Sequence, residues 1–162
     1  MTLKLVLQRD ISDLNSRYRV FGDRGELRWV VTGKRTTAGE YMRICAPEGG
    51  IVCKIRGLGF SAMSVYSIRV GGESIRLNIA VAPGRAAVRF RGISFLVRGD
   101  VPSGSYSILD ADTSVICEVG KDFVKGQTLL DIFEDERAMI CLAAVACIES
   151  LSVGQVPALQ MT

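Results

Sequence analysis

The stretch "ERAMICLAAVACIESL", Glu136 to Leu151, decides how the rest of the chain is read. Its middle, Ala138 to Ile148, is eleven consecutive residues with neither a charge nor a hydroxyl. Such a segment enters a membrane, docks along one face, or is buried on every side. Eleven apolar residues fall well short of the ~20 needed to cross a hydrocarbon core, and Glu134, Asp135, Glu136 and Glu149 would be drawn toward the lipid. A docking helix shows a polar stripe, yet Ala138 to Val145 is apolar around two turns. A helix that is apolar all round is a buried one. Its many alanines (Ala138, Ala143, Ala144, Ala146) make it slender, which suits a tight enclosure. With Asp135 as N-cap and Gly154 as stop, the helix predicted from Glu136 to Leu151 is about 24 Å long at ~1.5 Å per residue, comparable with the depth of a small barrel.

What encloses it is legible upstream. "TLKLVL" puts Leu3, Leu5 and Leu7 on one face, as a half-buried strand requires. "SRYRVF" and "ELRWVVTG" flank Gly22 to Gly25, with Leu27, Trp29 and Val31 alternating, and so read as a hairpin. The device recurs: "EYMRIC" and "GIVCKIRG" around Pro47 to Gly50, "SVYSIRV" and "ESIRLNIAV" around Gly71-Gly72, "SYSILD" and "SVICEVG" around Ala111-Asp112. Tyr18, Tyr41, Tyr66 and Tyr106 recur at spacings of 23, 25 and 40 residues, too uneven for a solenoid. Adding "RAAVRF", "ISFLVRG" and "QTLLDIF" gives about twelve short strands. A sheet of that size must curl to hide its edges, and closure into a barrel removes them. The expected fold is all-β dominated: a twelve-stranded closed barrel around one central C-terminal helix.

Length and composition agree with one domain, residues 1–153, followed by a short tail, 154–162. With 162 residues, 48% hydrophobic and 23% charged, the chain buries a continuous core without disulfides or metal. The opening "MTLKLVLQRDISDL" lacks the basic n-region and apolar h-region of a signal peptide, and no segment reads as transmembrane. Five cysteines form an odd set without a CxxC, most at apolar positions, which points to reduced buried thiols and a cytoplasmic protein.

The absence of histidine restricts chemistry most. It removes Ser-His and Cys-His nucleophile pairs, the ordinary imidazole base, and the usual Cys/His zinc site. Carboxylates remain, and Glu134, Asp135 and Glu136 stand together. Just before an apolar helix, such acids favour the positive end of its dipole, which explains them better than a catalytic pair. There is no GxxxxGK[ST] and no strand-linked GxGxxG. No cofactor, no metal and no enzymatic activity are expected.

Order along the chain adds a resemblance. The hairpins, then "VRGDVPSGSYSILDADTSVICEVGK" (Val97 to Lys121), then "LLDIFEDERAMICLAAVACIESL" (Leu129 to Leu151), resemble the LURP-one-related group of the tubby C-terminal-like superfamily, over roughly Leu3 to Leu151. The most specific pieces are the "Y-x-I-x-D-x-x-x-x-V" hairpin between Gly99 and Lys121 and the terminal apolar helix. The resemblance implies a twelve-stranded antiparallel barrel around a central hydrophobic helix. Thr113 departs from it, standing where a glycine often follows the aspartate turn. Tubby domains bind membrane phosphoinositides, and phospholipid scramblases are relatives, so the resemblance implies a non-catalytic module for anionic phospholipid or a related phosphate ligand. The tubby lipid site uses a basic tract after a strand ending in glycine; in "WVVTGKRTTAGEYMRI" the matching positions are Gly33, Lys34 and Arg35, though only two basic residues stand there.

Charge is unevenly distributed. From Arg17 to Arg98 there are fifteen Lys and Arg against five Asp and Glu; from Gly99 to Thr162 there are three against ten. A chain so polarised can present a positive face to an anionic membrane surface, although alternating strands also need solvated residues on their outer faces. Arg85, Arg89 and Arg91 in "GRAAVRFRG" are the densest subset, and Arg89 and Arg91 point to one side of a strand, where they can grip phosphate. Trp29 and the other aromatics occupy core-like positions and not the gaps between basic residues, so no stacking platform for nucleic acid is expected. The candidate ligand residues are therefore Lys34, Arg35, Arg85, Arg89 and Arg91. The competing reading is a protein-interaction or structural domain without lipid binding.

Overall fold

The computed structural model describes residues 2–37, 39–60 and 63–161, with side chains through 151 apart from Phe60. Twelve strands come first: β1 (Leu3–Arg9), β2 (Ser16–Gly22), β3 (Leu27–Thr36), β4 (Gly39–Cys45), β5 (Ile51–Phe60), β6 (Met63–Val70), β7 (Glu73–Ala82), β8 (Arg85–Arg91), β9 (Leu96–Asp100), β10 (Ser105–Leu109), β11 (Val115–Asp122) and β12 (Gln127–Ile132). A 3-10 turn (Asp135–Arg137) leads into α1 (Ala138–Met161). All neighbouring strands are antiparallel, in the order β8-β7-β6-β5-β4-β3-β2-β1-β12-β11-β10-β9. Pairing of β1 with β12 brings the two ends of the meander together, from Leu3 opposite Ile132 to Gln8 opposite Gln127. The barrel is nearly closed: β8 and β9 lie side by side as the two ends of the ladder and do not pair.

Alternation places one residue in two inside. Leu5 and Leu7, Tyr18 and Val20, Met42 and Ile44, Ile75, Leu77 and Ile79, and Leu130 and Ile132 are all buried and face the helix. From Ile140 through Ser150 every residue of α1 is buried, as a helix without a polar stripe must be. Ala143, Ala144 and Ala146 let the strands approach its axis. Among the described residues, no helix is long and apolar enough to cross a membrane.

The ends of the helix differ from expectation. Asp135 belongs to the 3-10 turn, and Glu134 takes the N-cap place without a side-chain hydrogen bond. The Arg137 N–H donates to the Glu134 carbonyl at 3.0 Å, so the turn satisfies a donor that a cap would otherwise hold. Gly154 does not stop the helix, whose backbone continues to Met161; a lone glycine costs only about 1 kcal/mol in a helix interior. Two polar residues in the middle of α1 are buried with partners. The Glu149 Oε2 pairs with Lys121 Nζ at 3.2 Å, and the Ser150 hydroxyl donates to the Ala146 carbonyl at 2.8 Å.

All five cysteines are free thiols, with Cys53, Cys117, Cys141 and Cys147 buried and Cys45 half-buried. Burial pushes the Cys53 thiol up to about 12 and raises Cys147. A hydrogen bond with Cys141, together with burial, raises Cys117. Thiols held this firmly in their protonated form are inert.

Candidate functional site

The inward residues of β3 to β7 fix which side chains must point out, and the hairpin registers fix what stands beside what. Thr32 of β3 is opposite Arg43 of β4, Arg43 is opposite Lys54 of β5, Lys54 is opposite Arg69 of β6, and Arg69 is opposite Ser74 of β7. One row lower, Lys34 faces Tyr41, Tyr41 faces Arg56, Arg56 faces Ser67, and Ser67 faces Arg76. Adjacent strands are ~4.8 Å apart and the rows ~6.6 Å apart, so five cations cluster on one outer wall: Lys34, Arg43, Lys54, Arg56 and Arg69. Together with Asn15, Tyr41, Ser67 and Ser74 they line a groove of about 800–900 Å³.

Among the described residues, no acid lines this groove. The ion pairs found among the described residues join Arg19 to Asp10, Arg35 to Glu40, Lys121 to Glu149 and Arg137 to Glu73, and none uses a groove cation. Like charges directly opposite one another on a sheet are destabilising, and Arg43, Lys54 and Arg69 form three in line. One cation is held in place. The Arg56 guanidinium lies over the Tyr41 ring, 5.2 Å from its centroid, and its Nη2 donates to the Tyr41 hydroxyl at 3.1 Å. Tyr41 is 38% exposed, which corrects the expectation that the aromatics lie only at core-like positions. Tyr18, Tyr66 and Tyr106 are buried, but Tyr41 has the opposite parity in its strand because Glu40 and Met42 on either side turn inward.

The five residues singled out in the sequence are dispersed. Lys34 is in the groove. Gly33, Lys34 and Arg35 all lie within β3, so the strand does not end at the glycine; Gly33 is buried, and a Cβ there would come within 2.9 Å of the Tyr41 carbonyl. Arg35 has the opposite parity from Lys34 and donates from Nη2 to Glu40 Oε2 at 3.0 Å. It lines a separate pocket of about 400 Å³ at one end of the barrel, beside Gly39, Gly57 and Leu151. Arg85, Arg89 and Arg91 are exposed on β8; Arg91 stands opposite Arg76 and extends the lower row, while Arg85 borders the β8/β9 gap. Arg43, Lys54, Arg56 and Arg69 were not singled out from the sequence. Each does alternate with buried neighbours in its strand, and that signal marks it as outward.

On the opposite side of the barrel the sign reverses, with Glu118 of β11 opposite Asp131 of β12. Glu134, Asp135 and Glu136 line none of the three grooves. Among the described residues no group of three or more His, Cys, Asp or Glu side chains gathers as a metal site would require.

No protein-family model and no curated protein matches the sequence. In three dimensions the chain is similar to a protein from Arabidopsis thaliana solved by X-ray crystallography, with a TM-score of 0.65 and 10% sequence identity, over 93% of this chain and 91% of that one. At that identity the likeness shows a shared fold, the twelve-stranded barrel around its helix.

Proposed function

We propose that this chain is a non-catalytic binding module of the LURP-one-related type, whose β3–β7 wall holds a phosphate-bearing anion presented by an anionic phospholipid surface. The observation that carries the reading is the line of Arg43, Lys54 and Arg69 across three adjacent strands with no counter-charge. Such a line costs stability in the free protein and is relieved when an anion bridges it. Arginine and lysine suit the task differently: Arg43, Arg56 and Arg69 offer flat forked donors that match phosphate oxygens, and Lys34 and Lys54 offer mobile point charges. The shared barrel fold and the sequence resemblance support the family assignment. The cytoplasmic face of a membrane, with its negative surface potential, is the compartment that fits.

The test is co-sedimentation with phosphatidylcholine vesicles, with and without phosphatidylserine. Binding is expected only with the anionic lipid, and is expected to weaken as the screening length falls from ~10 Å at 0.1 M salt to ~3 Å at 1 M. A Lys54→Glu, Arg69→Glu double change is expected to cost about 2–4 kcal/mol, at ~1 kcal/mol per unit of charge near the surface. Equal binding to neutral and anionic vesicles, or none at low salt, removes the lipid reading and leaves a protein-interaction domain.

A further inference from the structure

An up-and-down meander divides its connections between the two ends of the barrel. Those that follow odd-numbered strands share one end, where Leu151 of α1 also lies, and those that follow even-numbered strands share the other. The two ends are chemically unlike. Among the described residues, the connections at the first end (10–15, 37, 83–84, 101–104 and 123–126) hold two Asp and one Lys. Those at the second end (23–26, 46–50, 71–72, 92–95, 110–114 and 133–137) hold eight Asp and Glu against two Arg.

The first end also projects large apolar side chains. Ile11 and Leu14 on the β1–β2 tip and Phe123 and Val124 on the β11–β12 tip are each at least 77% exposed. The two tips are neighbours, because β1 pairs with β12 down to Gln8 opposite Gln127. Their polar groups are already engaged. The Ser12 N–H donates to Asp10 Oδ1 at 3.0 Å, the Asn15 N–H to Asp13 Oδ1 at 3.2 Å, and the Val124 and Lys125 N–H groups to Asp122 Oδ1 at 3.1 Å. Asp10 is also paired with Arg19. Backbone satisfied in this way leaves water at lower cost than bare backbone.

These tips adjoin the cationic groove. The Gly33 N–H donates to the Asn15 carbonyl at 2.7 Å, and Asn15 lines the groove. Along β5 the outer wall passes from Lys54 and Arg56 to Leu58, half-exposed and one row nearer this end. That row is ~6.6 Å from Arg56, comparable with the headgroup band on one side of a bilayer, roughly 5–8 Å. On the opposite, acidic wall Glu118 stands four residues, about 13 Å, behind Asp122, farther than the ~8 Å screening length at physiological salt.

We propose that this end of the barrel enters the interface of an anionic bilayer. Ile11, Leu14, Phe123 and Val124 sit at the boundary of the acyl chains, Lys125 reaches back to the phosphates, and the cationic wall stands over the headgroups. The inference rests on the lipid reading of that wall and gives it an orientation, with the acidic end turned away from the membrane. A specific protein partner needs ~800 Å² of fitted surface on each side, whereas a bilayer accepts separate projecting tips.

The experiment measures co-sedimentation and tryptophan fluorescence of the full chain with vesicles of phosphatidylcholine and phosphatidylserine. The Val124→Trp protein is expected to show blue-shifted emission and quenching by bromine on the acyl chains. The parent is expected to show neither, since Trp29 lies near the start of β3, toward the acidic end. The Phe123→Ser, Val124→Ser protein keeps its net charge and is expected to bind these vesicles at least tenfold more weakly, with its melt and its binding of pyrophosphate as in the parent. The Lys54→Glu, Arg69→Glu protein is expected to lose both kinds of binding. Vesicle binding without quenching in the Val124→Trp protein, or undiminished in the Phe123→Ser, Val124→Ser protein, overturns the inserted end and leaves the anion wall standing. No binding of the parent to anionic vesicles overturns both. A dimer of the free protein that dissociates in the Phe123→Ser, Val124→Ser variant also overturns the inserted end, by assigning the tips to a second copy.

Discussion

Lys54→Glu should make this protein more stable and worse at binding. Lys54 is exposed on β5, directly opposite Arg43 on one side and Arg69 on the other. The substitution replaces two like-charge cross-strand pairs with two opposite-charge pairs. Each such pair is worth roughly 0.2–1 kcal/mol, and exposed ones fall toward the low end, so the gain at low salt should be about 1–2 kcal/mol. For a chain of this size each kcal/mol moves Tm by ~2–4 °C, so a rise of several degrees is expected in a calorimetric melt. At 0.5 M salt the gain should shrink markedly, because screening weakens both the repulsion removed and the attraction added. Lys54→Gln should give about half the effect. The same Lys54→Glu protein should lose vesicle binding. If it melts lower than the parent, or equally higher at both salt concentrations, the charges on this wall are not in conflict and the reasoning for a missing anion fails.

Three further outcomes concern the fold. Ala143→Glu puts an unpaired charge in the fully buried stretch of α1, at a cost of several kcal/mol that rivals the whole stability of a domain; a native-like cooperative melt of that variant would refute the central-helix assignment. Among the described residues, Thr113 is the non-glycine residue with positive φ, at 67°. Thr113→Gly should therefore gain about 0.5–1 kcal/mol in denaturant unfolding, the relief of a left-handed β-branched residue less the added chain entropy; a loss would show that the Thr113 hydroxyl's bond to the Asp112 carbonyl outweighs the strain. With no histidine in the chain, stability should be flat from about pH 6 to 8. Cys53 is raised from 9.0 to about 12 in the fold, so its contribution is fully present below pH 9 and is lost as pH rises toward 12, at about 1.4 kcal/mol per pH unit. A melt unchanged between pH 8 and 11 would contradict the burial of the thiols.

The fold was readable because its signals are local. Two-residue alternation and turn residues mark each strand, and a segment without a polar stripe admits only a buried helix. The one topological detail that escaped is the unpaired junction at β8/β9, since nothing in "RFRGISFLV" says whether two adjacent strands will pair. The groove was not readable for a different reason. Arg43, Lys54 and Arg69 are far apart in the chain and meet only through the registers of two hairpins, one of them carrying a bulge at Ile44 and Cys45. Local density drew attention instead to Arg85, Arg89 and Arg91, and adjacency coupled Lys34 with Arg35, which the strand's own parity sends to different places. Tyr41 was grouped with three buried tyrosines by spacing, although its neighbours Glu40 and Met42 show that it faces out.

The central claim, that the β3–β7 wall is an anion site, is tested most directly by following backbone amide resonances of the labelled protein as pyrophosphate is added to millimolar concentration. Saturable shifts are expected around Lys34, Arg43, Lys54, Arg56 and Arg69, fading in 1 M salt and absent from the Lys54→Glu protein. Shifts confined to the Arg35–Glu40 pocket or to β8, or no saturable shift at all, would contradict it.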